Sequence, residues 1–234
     1  MRTLGLLCVL TGCATVVPMQ TASVVDQGRF RVGGQLSASA FCGDPSQGPL
    51  LGLTRCTDYP DGIPLPELRL SGRYGLGSRF DVGVSAQALG QVLAPERAFQ
   101  FGLGADVKGE MVRAKTGAVT HVVSTGLLGG AALSGRFGLP LWAHVEWGVP
   151  LFYGLQLERW EFVVGASLSE RRGFSRLGLS QVLPPTSVVH AGFTLGAFRR
   201  APASWGLQVG YLTDPARFSN GTIQLQFGWF FDLG

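Results

Sequence analysis

Charge is scarce in this sequence. Asp, Glu, Lys and Arg make up 15% of the residues, against roughly 25% in an ordinary soluble domain. Lysine occurs only at Lys108 and Lys115 among 19 basic residues, and the net charge of +4 is unclustered, so nothing supports a nucleic-acid surface. Long apolar runs are missing as well. Mean hydropathy is +0.25, yet no stretch approaches the ~18 unbroken apolar residues of a membrane helix. What is present instead is glycine, 35 residues, and hydrophobic residues at alternate positions. Together these disfavour long helices and suit twisted, closely packed strands. At 234 residues the chain is long enough for one complete β domain and too short for two comfortable ones.

The first residues read as a targeting segment. Arg2 supplies a positive start and Leu4 to Leu10 an apolar stretch. Leu10-Thr11-Gly12-Cys13 then resembles the lipobox of bacterial lipoproteins. The resemblance implies cleavage after residue 12, acylation of Cys13, and a lipidated tether over residues 13–29. A plain secretory signal with an incidental cysteine is the alternative. Export agrees with the remaining cysteines, because Cys42 and Cys56 share one Pro/Gly-rich stretch and would be oxidised to a disulfide. A bridge closing a loop of this length stabilises by ~3 kcal/mol in the chain-entropy model. The clipped loop, residues 42–66, is then a surface for a ligand or partner, or simply a protected loop. Asp44 and Asp58 beside these cysteines make a poor metal set, so no metal is expected.

From residue 30 to 234 the period is two. Ten strands are predicted, near 30–41, 67–76, 79–89, 99–110, 119–133, 139–148, 160–169, 187–198, 205–212 and 222–231, with eight or twelve as the alternatives. Apolar patches at 150–157 and 174–180 would extend neighbouring strands or add a hairpin. One face carries residues such as Leu36, Leu70, Val84, Leu103, Phe162, Leu195, Leu207 and Phe227. The other carries Arg31, Glu67, Arg69, Arg73, Arg79, Asp81, Asp106, Lys108, Glu110, Glu146 and Glu161 with many Gly, Ser, Gln and Thr. The fifth strand is mixed and cannot be assigned a register.

Alternation alone does not say which face is inside. A soluble lipocalin-like barrel tethered to the membrane would bury the apolar face around a ligand. A membrane barrel would turn it to lipid and the charges to the lumen. The second reading is favoured by the long aromatic apolar face and by small polar groups suited to a crowded lumen. Connections also tend to be longer at one end (42–66, 90–98, 134–138, 170–186, 213–221) than at the other (77–78, 111–118, 149–159, 199–204). Phe30, Tyr74, Phe80, Trp147, Trp160, Trp205 and Phe231 lie on the apolar face near expected periplasmic strand ends, as in an aromatic girdle. The expected fold is therefore all-β, an antiparallel up-and-down transmembrane β-barrel.

The last residues, Gln226 to Leu233, resemble the assembly signal of outer-membrane barrels, with Gly228, Phe231 and Leu233 on the matching positions. The resemblance implies docking on the barrel-assembly machinery and outer-membrane lipid as surroundings. No catalysis and no cofactor are expected. There is no G-x-S-x-G elbow and no H-E-x-x-H, and Gly102-Leu103-Gly104 opens no helix. Some outer-membrane barrels are lipid hydrolases with His and Ser two apart on one strand. Here His121, His144 and His190 are followed at that spacing by Val123, Glu146 and Gly192.

What remains is the lumen, with five cations and six anions among the strand charges named above. Near balance predicts paired charges, since an unpartnered buried charge is costly, with Arg69 and Asp81 as one expected pair. The functional alternative is a narrow pore with one acidic wall at His144, Glu146 and Glu161. The sequence thus points to a lipid-anchored outer-membrane barrel of structural, surface-interaction or small-pore type.

Overall fold

The computed structural model describes residues 19–42, 56–57, 65–89, 99–135, 142–177, 181–182, 186–200, 203–215 and 217–233. Cys13 and most of loop 42–66 lie outside them. Ten long strands form one antiparallel sheet: β1 (Phe30–Cys42), β3 (Leu65–Gly77), β4 (Phe80–Leu89), β5 (Phe99–Thr116), β6 (Val119–Gly135), β7 (Trp142–Gln156), β8 (Trp160–Leu177), β10 (Thr186–Arg199), β11 (Ala203–Asp214) and β12 (Arg217–Leu233). Each pairs with its sequence neighbour. β12 returns to pair with β1, from Phe30↔Leu233 to Cys42↔Gly221, so the sheet closes into a barrel without a free edge. Two-residue strands β2 (Cys56–Thr57) and β9 (Gln181–Val182) pair with β1 and β8. All ten predicted strands are present. The patches at 150–157 and 174–180 contribute the far ends of β7 and β8, through Gln156 and Leu177 respectively.

Burial settles which face is inside. Leu103 is 71% exposed and Val84 63%, while Gln208 is 1% exposed and Asp81 0%. A water-soluble lipocalin-like barrel has the opposite arrangement, so that alternative is overturned. The barrel is apolar outside and polar inside.

The two ends differ. At one end tight turns join β3–β4 at residues 78–79 and β5–β6 at 117–118, residues 157–159 join β7–β8, and only three residues separate Arg199 of β10 from Ala203 of β11. Gly117 takes φ 61° in its two-residue turn, a conformation that favours glycine. Both β1 and β12 have their outer termini at this short-turn end. The strand ends at the opposite, loop end are separated in sequence by longer intervals (43–64, 90–98, 136–141 and 178–185), except Asp214 and Arg217 of β11 and β12. Arg79 falls in the 78–79 turn and is exposed, which removes it from the lumen network to which the sequence assigned it.

Rings gather at the short-turn end, where Phe30, Tyr74, Phe80 and Phe231 are exposed. Trp160 and Trp205 meet edge-on, centroids 5.6 Å apart. Trp147 belongs to the opposite rim, because β7 continues past it for nine more residues to Gln156. There it pairs in register with Glu170, and the Arg172 guanidinium lies 5.0 Å over its ring. Arg172 donates to Glu170 at 2.9 Å and Ser187 donates to the same carboxylate at 2.6 Å. These are charges on the outer face, which the sequence read as uncharged. They mark where the apolar band ends.

Candidate functional site

The interior holds what the sequence took for a tether. Residues 19–25 lie across the lumen near the short-turn end, with Met19, Ala22, Val24 and Val25 buried. The segment forms no regular strand there, so its backbone groups need other partners, and lumen side chains supply them. Glu161 accepts from the amides of Ala22 (2.8 Å) and Ser23 (3.1 Å) and from the Ser23 hydroxyl (2.9 Å). Glu110 accepts from the Val24 amide at 2.9 Å and Asp81 from the Val25 amide at 2.8 Å. Lys108 Nζ donates to the carbonyls of Thr21 (2.9 Å) and Ser23 (2.8 Å). At the deep end Met19 N donates to Gln35 Oε1 at 3.2 Å.

Apolar contacts match the polar ones. Met19 and Ala22 pack in one cluster with Val122, Phe152, Val163 and Phe198 of the inner wall, flanked by Phe230. The chain then leaves past β3. Gly28 N donates to Gly75 O, and Gly75 N donates to Arg29 O. A Cβ on Gly75 would strike the backbone of Val25 and Asp26, so only glycine lets the segment lie this close. Gly28, at φ 76°, makes the turn into β1.

The predicted lumen charges are paired, but not all as expected. Arg69 bonds Glu67 at 3.0 Å and Gln87 at 2.5 Å. It stands opposite Gln87 in register, well away from Asp81, so the expected Arg69–Asp81 pair does not form. Asp81 instead takes Arg73 and stands 3.8 Å from Lys108, while Arg73 also holds Asp106 at 2.7 Å. Arg31 pairs with Asp232 at 2.5 Å, Glu110 with Arg113 at 2.6 Å and Glu146 with Arg171 at 2.8 Å. Glu146 and Glu161 are therefore already compensated, by a guanidinium and by peptide N–H groups, and the wall they share with His144 is not an open acidic one. Arg171, Arg113 and Asp232 went unnoticed because each lies just beyond a predicted strand end.

β1 ends with Cys42 directly opposite Cys56 of β2. Facing antiparallel residues have Cα atoms about 4.5–5.5 Å apart, inside the span a disulfide bridges. Gly228 is buried against Met19, and Phe231 and Leu233 face outward on the closing strand. His190 stands opposite Ser169 between β8 and β10. Among the described residues no three His, Cys, Asp or Glu side chains converge as metal ligands would.

No family model matches the chain, and no curated protein matches it. Solved structures do. The outer membrane protease OmpT of Escherichia coli aligns with 88% of this chain and 97% of its own, at 7% identity and TM-score 0.45. AlkL, solved in lipid bilayers, aligns with 94% and 96% at 11% identity and TM-score 0.38. Ail, the attachment invasion locus protein of Yersinia pestis, aligns with 88% and 99% at 9% identity and TM-score 0.32.

Proposed function

We propose that this chain is a lipid-anchored outer-membrane barrel of structural, surface-interaction or small-pore type, without catalytic activity, whose lumen is held shut by its own N-terminal segment. The observation that carries the membrane part is the inverted burial. Exposed Leu, Val and Phe around every side of a closed barrel are stable against hydrocarbon and costly against water. The short-turn end, with both outer strand termini, then faces the periplasm and the longer connections face outward. Migration of the purified protein on a detergent gel tests this. A lipid-type barrel resists detergent and runs faster unheated than boiled, and identical migration in both conditions would reject the reading.

Anchoring and the clipped loop are parts of the same proposal. From Cys13 to Met19 an extended chain reaches about 20 Å, enough to join a lipid in the near leaflet to a segment seated at the periplasmic mouth. Cys13→Ser should abolish labelling by radioactive palmitate, and unchanged labelling would remove the anchor. Cys42 and Cys56 should be bonded to each other. Thiol titration of unreduced, unfolded protein should find no free sulfhydryl at either position, and two reactive thiols would remove the bridge. Docking of the Gly228–Leu233 strand on the assembly machinery and a surface ligand at loop 42–66 complete the partners of this reading.

A further inference from the structure

Beside the seated segment the lumen keeps a cavity of about 360 Å³, within the range of small-ligand sites. The other cavity described in the lumen holds about 60 Å³, room for little more than water. Arg31, Arg69, Arg73 and Lys108 line the larger one with the hydroxyl residues Ser71 and Ser85. The acids that pair with these cations are unevenly placed. Glu67, bound to Arg69, and Asp81, bound to Arg73 and facing Lys108, are not part of the cavity wall. Four acids do line it: Asp106 is held by Arg73, Asp232 by Arg31 and Glu161 by the amides of Ala22 and Ser23, while Asp26 is exposed at the short-turn end. The cavity wall therefore carries eight cations against four acids, and three of those acids are already held.

The entrance keeps the cationic excess, with Asp26 and Asp232 beside its arginines. Arg29, Arg199 and Arg200 also line the cavity and are exposed at the short-turn end. A confined space with a twofold excess of one sign of charge on its wall focuses the field and concentrates ions of the other sign. Guanidinium groups suit planar or tetrahedral oxyanions in particular, because their N–H groups match both.

We propose that this cavity binds one small anion bearing a carboxylate or phosphate group, entering from the short-turn end. The inference rests on the seated segment, since Met19, Thr21 and Ser23 form part of the wall, but not on membrane insertion.

The test is calorimetric titration of the full-length folded protein, its fold checked by gel migration, with inorganic phosphate, with succinate and with choline as the cationic control. At least one of the two anions should bind saturably at one site, and choline should not. Whether phosphate or succinate binds tighter assigns the headgroup. Ser85→Phe fills the cavity while leaving every cation in place, and it should abolish binding in protein that still migrates as a folded barrel. Arg31→Gln should weaken binding about tenfold, the loss of one charge-assisted hydrogen bond. No saturable binding of either anion, equal binding of choline, or undiminished binding by folded Ser85→Phe protein would each overturn the site. The last outcome would move the anion to the exposed arginines of the mouth. A barrel that migrates as folded yet binds nothing rejects the anion site and leaves the membrane reading intact.

Discussion

Arginine at Val84 should keep the barrel from reaching its folded, heat-modifiable form, whereas arginine at Ser85, one residue on, should leave it folded. The two positions differ only in face. Val84 sits mid-strand in β4 and points outward, 63% exposed. Ser85 lines the lumen cavities, where there is room for a longer side chain and Asp106 lies on the same wall. A guanidinium on the lipid face near the bilayer midplane costs roughly 2–4 kcal/mol, a large share of the 5–15 kcal/mol that holds a typical domain folded. The measurement is the fraction of protein in the fast-migrating band before heating, after refolding into detergent or lipid. If Ser85→Arg proved the more damaging, lipid would not be what the outer face meets.

Much of this barrel is written in the alternation of its residues. Ten strands and the sidedness of most of them follow from period two, because each strand meets a different solvent on each face. Strand ends are less legible. Residues 150–157, beyond the strand predicted at 139–148, read as a patch that would extend a neighbour or add a hairpin. In the barrel Pro150 lies inside β7, beside an interruption in the β6–β7 ladder between Thr125↔Leu151 and Leu128↔Gly148. There a residue without an N–H is tolerated, and the Thr125 hydroxyl donates to its carbonyl at 2.8 Å. Once β7 is cut short, Trp147 is put at the wrong rim. The same shortening of β5, β8 and β12 hides Arg113, Arg171 and Asp232.

The site was harder to read than the fold, for a related reason. Alternation lapses wherever both faces are apolar, as at Val122-Val123, Leu151-Phe152-Tyr153, Phe162-Val163-Val164 and Phe230-Phe231. Val122, Phe152 and Val163 are all buried in the cluster around Met19 and Ala22. The inward Val122 is also why the fifth predicted strand, now β6, has no clean register. Residues 19–29 gave no periodic signal because side chains satisfy much of their backbone in place of a ladder partner. Apolar doublets at several strand ends, next to an unstructured-looking segment, are the trace of a lumen wall shaped to hold that segment.

Removing residues 19–25 should turn a silent barrel into a conducting one. With the segment seated, the purified protein in planar bilayers should pass little steady current, because residues 19–25 lie across the lumen and are held by Glu161, Glu110, Asp81 and Lys108. Deletion removes the obstruction together with Met19 and Ala22 from the apolar cluster, leaving Phe152, Val163 and Phe198 facing an empty mouth that water will fill. A point change should act in the same direction with smaller amplitude. Glu161→Ala removes the acceptor of three hydrogen bonds to Ala22 and Ser23. Each bond to a charged group is worth roughly 1.5–3 kcal/mol in a dry site, less here because lumen water replaces part of it. Since 1.4 kcal/mol is a factor of ten in a two-state equilibrium, the open fraction in Glu161→Ala should rise about tenfold or more and be seen as brief openings. Gly154→Leu should do likewise by steric means, as a side chain at Gly154 collides with Ala22 and crowds the Glu161 carboxylate that holds it. If the deletion protein stays closed while migrating as a folded barrel, the seal lies elsewhere, in the paired charges Glu67–Arg69 and Glu146–Arg171 beyond the segment. The N-terminal residues would then be a strut for the lumen wall and not its stopper.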